Sequence, residues 1–449
     1  MASRRVLVYG LGVSGRAVVR RLTAEGVTVV AADDDGSDEN RRRAEELGVE
    51  LEVAPSGVRL EELAAGVDEV VVSPGVALRH PVFSLEARVP LVGEVELAWR
   101  RARAPLVAVT GTNGKTTVTT LVLSMLRASG VRAVAAGNIG TPLLDAVAGD
   151  AEVIVVEVSS FQLALTRSFR PAVGAWVNFS ADHLDWHPTL DHYRAAKSRL
   201  WANAGPGDVA VANAEDPVVM AGAELPAGRG ATVVTFGLGR GDYTLRAGRL
   251  VSPEGAVLAT AAELPRAFPH DLADDLCAAA AAIAAGAAPG GCGRALAEFT
   301  GLPHRLELVG EAGGVRFYDD SKATTPGAVV AALDGFDSAV LIAGGRNKGL
   351  DLSPLTAVSG RLRAVVAIGE AAPEVAAVFS ASCPVTTAGS MEQAVRQAVA
   401  TARPGDAVVL SPACASFDWY PSYGARGDDF ARCVRSLPAV GRPWEGAPR

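Results

Sequence analysis

Short apolar runs alternate with amphipathic stretches along the chain. Residues 5–10 (RVLVYG), 27–33 (VTVVAAD) and 69–75 (EVVVSPG) are apolar at nearly every position, the pattern of strands buried on both faces. Residues 15–25 and 39–47 between them read as helices, so the rhythm is β-α-β and predicts a parallel sheet. A second series opens at 105–111 (PLVAVTG) and continues at 152–160 (EVIVVEVSS) and 172–180 (AVGAWVNFS). A third runs through 316–322, 339–345, 364–369 and 407–413. The Gly/Arg-rich stretch 227–256 predicts a small strand-and-turn excursion inside the second series, and the Ala-rich 277–288 a buried helix. At roughly 150 residues per domain, 449 residues make about three domains. Their expected bounds are 1–93, 94–300 and 301–449.

Charge and cysteine usage narrow the function classes. The net charge is −8 with no long basic block. Arg41, Arg42 and Arg43 stand beside Glu45 and Glu46, as on a solvated helix face, which argues against nucleic acid as the main partner. Five scattered cysteines without a C-x-x-C pair fit reduced thiols in a cytosol. The N-terminal apolar run breaks at Gly10, so it reads as a strand entering a turn rather than a signal peptide. No apolar segment approaches the ~20 residues a membrane span needs. A soluble, cytoplasmic protein without membrane insertion is expected, and a monomer.

Three glycine turns follow apolar runs. Gly10-Leu11-Gly12-Val13-Ser14-Gly15 lies between a strand and a helix, with Asp33 ending the next strand. This matches the dinucleotide fingerprint, whose glycines let backbone approach a pyrophosphate at a helix N-terminus. A tight turn without a ligand explains the same residues, and Asp33 either holds a ribose hydroxyl or merely ends its strand. The second turn, Gly111-Thr112-Asn113-Gly114-Lys115-Thr116-Thr117, is a shortened phosphate loop, with Val109 where the usual pattern starts on glycine. Its amides offer a nest for phosphate oxygens, Lys115 reaches the β- and γ-phosphates, and the Thr116 hydroxyl is a candidate Mg²⁺ ligand. The third, Gly344 to Gly349, carries Arg346 and Lys348 and is either an anion site or a surface turn. Two nucleotide-type loops speak against a simple dehydrogenase, which needs only the first. They suggest one site for ATP and another for a substrate that carries a nucleotide or diphosphate.

Acids and histidines add candidates. Glu157 closes a strand parallel to the phosphate-loop strand, where a second Mg²⁺ ligand belongs; a structural role is the competing view. His183 and His187 are spaced as a helical zinc pair, but Pro188 and the absence of H-E-x-x-H argue against zinc. His183, after Asp182, is the better Mg²⁺ or phosphate contact, and Lys197 falls in the helical run that follows. In the third block Arg305 is placed to clamp phosphate, Asp320 to accept ribose hydroxyls and Lys322 to meet developing charge; singly, each also reads as a surface charge. Residues 411–430 read as one crowded loop holding Arg426, with Ser416 a carboxylate ligand. Nothing indicates a protein nucleophile.

The strings TGTNGKTT, GNIGTPL, VEVSSFQL, NFSADHLDWH, YRAAKSRL, GLPHR, DSKATT and SPACASFDWY, in this order, resemble the Mur ligases of peptidoglycan synthesis. VSSFQL and SPACAS tilt the resemblance to the branch that adds D-glutamate. The resemblance implies an α/β chain of three domains: Rossmann-like N-terminal, central P-loop ATPase-type parallel sheet and C-terminal Rossmann-like. It implies an ATP- and Mg²⁺-dependent ligase that joins D-glutamate to UDP-N-acetylmuramoyl-L-alanine through an acyl phosphate. By the same resemblance Lys115, Thr116, Glu157 and His183 handle Mg²⁺ and the γ-phosphate, and Lys197 stands at the position that carries a carbamate metal ligand. Asn138, His304, Arg305 and Asp320 fall among the ATP or acyl-phosphate contacts. Val13, Ser14, Asp33, Gly75 and Asn138 would hold the UDP-sugar, and Lys322, Thr324, Lys348, Ser416 and Tyr423 the D-glutamate.

The sequence departs from the family at PHDLADDL (269–276), where H-N-x-x-N is usual. Asp271 and Asp274 are acceptors where amides would also donate. Nucleotide affinity differs, or Asp274 simply caps a helix. Thr325 stands where Asn is common. Selectivity for L-glutamate or L-alanine, and a non-catalytic nucleotide-binding relative, are therefore the alternatives.

Overall fold

The computed structural model describes residues 4–437. These fold as two compact units. The first comprises the chain up to Phe179, Trp186–Leu258 and Asp274–Leu296; the second comprises Ser180–Asp185, Ala259–Ala273 and the chain from Ala297.

The first unit opens with a parallel sheet of β1 (Arg5–Tyr9), β2 (Thr28–Asp33), β3 (Leu51–Val53), β4 (Glu69–Val72) and β5 (Leu91–Val92). Its order is β3-β2-β1-β4-β5. The order reverses beside β1, and the crevice at such a switch point is where open α/β sheets bind ligands. A larger sheet follows: β6 (Leu106–Thr110), β7 (Ala133–Gly137), β8 (Val153–Glu157), β9 (Val173–Trp176), β10 (Val209–Asn213), β11 (Thr232–Gly237), β12 (Tyr243–Arg246), β13 (Arg249–Val251) and β14 (Val257–Thr260). Its order is β14-β13-β12-β11-β10-β9-β6-β8-β7. β6 lies between β8 and β9, so its C-terminal end is again a switch point. The stretch 227–256 holds strands and turns as expected, but they belong to the main sheet: β11 pairs parallel to β10, and β12 and β13 follow as an antiparallel pair. One apolar core runs from Val6 and Val8 of the first sheet and Leu22 of the helix Val13–Ala24 through Val95 and Leu97 to Ala108, Val156 and Trp176 of the second sheet and to Trp201. Each fully buried Val or Leu there stabilises by about 1.5–3 kcal/mol over an exposed one.

The second unit holds β15 (Glu307–Ala312), β16 (Val315–Asp319), β17 (Ala339–Gly344), β18 (Leu362–Ile368), β19 (Val385–Ala388) and β20 (Ala407–Leu410), in the order β15-β16-β20-β17-β18-β19. β15 and β16 form an antiparallel hairpin and the remaining pairs are parallel. Among the described residues no helix is long and apolar enough to cross a membrane.

Candidate active site

In the first sheet the glycine turn is pinned from two sides. Any Cβ on Gly15 would fall 1.8 Å from the Gly10 carbonyl oxygen, so only glycine lets the helix Val13–Ala24 start against β1. Asp33 ends β2, and its carboxylate accepts the Leu11 N–H at 2.6 Å and the Asp35 N–H at 2.9 Å. The acid therefore shapes the turn itself. A cavity of about 840 Å³ opens here, and Val13, Ser14, Asp33 and Gly75 all line it. Its polar wall holds three residues that sequence reasoning missed. Tyr9 donates from its hydroxyl to Asp34 at 2.6 Å, with His80 Nε2 at 3.2 Å. His80 Nδ1 accepts the Val82 N–H, which leaves Nε2 as the protonated nitrogen of the neutral ring. Burial and Asp34 push the Tyr9 phenol well up.

The phosphate loop follows β6. Gly114 is left-handed at φ +79°, and the helix Lys115–Ala128 starts directly after it. Lys115 folds back, donating to the carbonyl oxygens of Gly111 at 3.0 Å and Thr112 at 2.8 Å. Two loop amides are already bonded: Asn178 Oδ1 accepts the Thr112 and Asn113 N–H groups at 3.1 and 2.9 Å. The nest expected from the sequence loses these two amides. Asn178 follows β9 in NFSADHLDWH, and only its place at a strand end beside the loop signalled it. Asp274 is not a helix cap: it lies inside the helix Pro269–Ala284, because the helix begins five residues earlier. Its carboxylate leans on the loop, so close that a Cβ on Gly114 would sit 2.5 Å from Oδ1.

Glu157 ends β8 and is 1% exposed. Its Oε1 accepts from Asn138 Nδ2 at 2.7 Å, and its Oε2 is buried with no hydrogen-bond partner among the described residues. Asn138 is fastened a second time by its N–H to the Glu157 carbonyl at 2.8 Å. Lys197, on the helix Leu190–Ser198, is 1% exposed and donates to Gly111 O at 2.6 Å, with the Tyr193 ring 4.8 Å from Nζ. The VSSFQL string has a local purpose: Ser159 and Gln162 form a capping box that opens the helix Ser160–Ala164 just past Glu157. No helix joins His183 to His187. His187 is fully buried against His192 and Ser160, as a core histidine is.

His183 belongs to the second unit, where φ is +54° and Nε2 lies 3.2 Å from Asp182 Oδ2. Asp271 pairs with Arg266 at 3.0 Å there, and its Oδ2 is buried with no hydrogen-bond partner among the described residues. His304 Nδ1 is 2.7 Å from Asp319 Oδ2, and the ring meets Tyr423 edge-on. Asp320 faces inward. Its oxygens accept from Ser411 Oγ at 2.7 Å and Leu306 N at 3.3 Å, and burial pushes its carboxyl up to about 7. It braces the turn that carries His304 and Arg305. Lys322 Nζ stands 4.0 Å from the Tyr423 ring centre, and Lys348 Nζ 5.9 Å from that of Phe417. Ser416 is buried, and its carbonyl accepts from Trp419 and Tyr420. Thr324 is half-buried, and Thr325 caps the helix Pro326–Leu333 by accepting from Ala328 N, a task Asn performs equally well. Residues 423–435 are a helix rather than loop, and Arg426 is buried in it, donating to the carbonyls of Cys414 and Ser321. Arg346 of the third glycine turn is committed to Glu370.

Three family models match the chain: "Mur ligase MurD-like, N-terminal domain" over residues 4–93, "Mur ligase middle domain" over 109–262 and "Mur ligase, glutamate ligase domain" over 304–414. The UDP-N-acetylmuramoylalanine--D-glutamate ligase of Pelotomaculum thermopropionicum is 42% identical, covering 97% of this chain and 98% of that one. The enzyme of the same name from Frankia casuarinae is 43% identical, covering 96% and 94%. Among solved structures, MurF ligase from Thermotoga maritima in complex with ADP is similar in fold, with a TM-score of 0.59 at 17% identity, covering 96% of this chain and 95% of that one.

Proposed function

The chain belongs to the Mur ligase family, and from that premise we propose that it joins D-glutamate to UDP-N-acetylmuramoyl-L-alanine in peptidoglycan precursor synthesis. The enzyme is an ATP-dependent amide ligase. One observation carries the reading most: the phosphate loop, Glu157 and Lys197 gather at the switch point of the central sheet, while a separate cleft of about 840 Å³ lies at the switch point of the first.

In this reading ATP phosphorylates the terminal carboxylate of the UDP-linked acid. The amine of D-glutamate then attacks the acyl phosphate, and phosphate leaves as the amide forms. The chain contributes positioning and charge neutralisation. The loop Gly111 to Thr117 cradles the phosphates through amides other than those of Thr112 and Asn113, with Lys115 as the cation. Asn138, Asp271, Asp274, His304 and Arg305 are assigned to ATP, with Asp320 acting through the turn it braces. Val13, Ser14, Asp33, Gly75 and Asn138 are assigned to the UDP substrate. Lys322, Thr324, Lys348, Ser416 and Tyr423 of the second unit are assigned to D-glutamate. Mg²⁺ fits the donor set, because Glu157 keeps a buried oxygen without a protein hydrogen bond and hard oxygen donors suit that ion. Thr116, Glu157, His183 and Lys197 as a carbamate would hold it, and it would neutralise phosphate charge. The division at 1–93, 94–300 and 301–449, a cytoplasmic location and a monomeric state belong to the same proposal.

The test is phosphate release from ATP with Mg²⁺, UDP-N-acetylmuramoyl-L-alanine and D-glutamate. Release that needs D-glutamate supports the reading. Release with L-glutamate or L-alanine in its place would reassign the selectivity. Tight nucleotide binding without release would favour a non-catalytic relative.

A further inference from the structure

His187 and His192 meet through their Nδ1 atoms at 2.8 Å. Two imidazole nitrogens can bond in this way only when one carries a proton and the other does not. The other end of His187 is also held, with Nε2 2.9 Å from Ser160 Oγ. The ring is fully buried, stacked on Phe161 at 5.5 Å and flanked by Trp186 at 4.6 Å. A buried ring fixed at both nitrogens has no rotational freedom left.

What the ring joins is informative. Ser160 starts the helix that follows Glu157. His192 lies on the helix that carries Lys197. Next to it, Tyr193 approaches the His187 ring at 5.1 Å, lies beneath Lys197 Nζ and reaches Thr112 of the phosphate loop at 3.2 Å. Trp186 donates to the carbonyl oxygen of Val76, which lines the glycine-turn cleft. One side chain therefore touches the turn after the proposed metal carboxylate, the helix of the proposed carbamate lysine and a brace to the substrate cleft.

We propose that His187 is a positioning residue for the ligase reaction, holding the Glu157 turn and the Lys197 helix at fixed spacing through Ser160 and His192. This rests on the ligase reading and adds to it a residue that touches no reacting atom. Loss of the lock lets the phosphate pole drift against the cleft, and misplacement of about 1 Å costs up to 100-fold in rate.

The experiment uses the full chain and the phosphate-release assay. His187→Phe keeps a ring on Phe161 but loses both hydrogen bonds. It is expected to lower kcat at least about tenfold, with KM for ATP and D-glutamate within about twofold and a melting temperature near that of the parent. His192→Leu, on the half-exposed partner, guards against a folding failure and is expected to lower kcat in the same way. His192→Gln, which retains a donor and an acceptor, is expected to recover most of it. Parental kcat in His192→Leu would overturn the proposal. So would a loss in His187→Phe that vanishes once rates are expressed per folded molecule. A parent chain that releases no phosphate overturns the ligase reading, and this one with it; an active parent with indifferent variants overturns this one alone.

Discussion

Lys197 and Lys115 donate to one acceptor, the carbonyl oxygen of Gly111, at 2.6 and 3.0 Å. Two ammonium groups held this close repel each other in a buried site. A carbamate on Lys197 would turn that repulsion into attraction and supply an anion for metal. Lys197→Ala is expected to lower kcat at least about 100-fold. Gly111 O keeps its bond from Lys115, so the loop should survive. A short carboxylate such as acetate, added at high concentration, is expected to restore part of the rate. Undiminished turnover in Lys197→Ala would remove the carbamate assignment.

Gly114→Ala should bear on ATP binding alone. The Gly114 φ of +79° costs an L-residue about 1–2 kcal/mol, and an added Cβ meets the Asp274 carboxylate at 2.5 Å. Gly114→Ala is expected to destabilise the fold by about 1–3 kcal/mol and to weaken ATP binding at least about tenfold. UDP-substrate binding should be unaffected, because the glycine-turn cleft is lined by other residues. Adding Asp274→Ala should return the steric share but not the backbone share. Denaturation and calorimetric titration with each ligand check both; equal losses for the two ligands would show that the loop does not act alone.

How much of this was legible in the sequence depends on reach. β1, β2, β4, β6, β8 and β9 were readable because parallel strands buried on both faces carry apolar runs, as Val153 to Val156 do before Glu157. β3 and β5, with three and two residues, carry too few positions for a period. β7 is written AVAAG, which reads as helix or strand alike. Site residues were legible where a local turn fixes them, as at Gly114. They were not legible where the partner is distant: Asn178 is 65 residues from Asn113, and His80 is 71 from Tyr9. Whether Asp320 faces outward or inward depends on Ser411, 91 residues away, and no local pattern encodes that.

Substitution of Asp33 should separate substrate binding from chemistry. Its carboxylate holds the Leu11 and Asp35 amides, and leaving a partly buried donor unmade costs about 1–3 kcal/mol. Asp33→Ala should loosen the turn and raise KM for the UDP-linked substrate about tenfold or more, with kcat nearly kept. Asp33→Asn should fall between, since one amide oxygen replaces two carboxylate oxygens. A KM unchanged in Asp33→Ala would mean that the turn holds its shape without the acid.

Glu94 makes stability depend on pH. It opens the helix Glu94–Trp99 and accepts the Leu144 N–H, while its Oε2 is buried with no hydrogen-bond partner among the described residues. Burial, with Asp145 nearby, pushes its carboxyl up from 4.5 to about 7. The folded state therefore binds this proton more tightly than the unfolded one. The stability so gained is complete below about pH 4.5 and is lost as pH rises through about 7. At 1.36 kcal/mol per unit the swing is roughly 3 kcal/mol. Glu94→Gln keeps an oxygen for Leu144 but cannot ionise. Its stability relative to the parent should improve from pH 5 to pH 8 by up to about 3 kcal/mol. Asp320, whose carboxyl is also raised by burial, titrates in both proteins and cancels from the difference. Urea denaturation of both chains at the two pH values measures it, and a difference that does not change with pH would mean that Glu94 is already neutral or already solvated across the range.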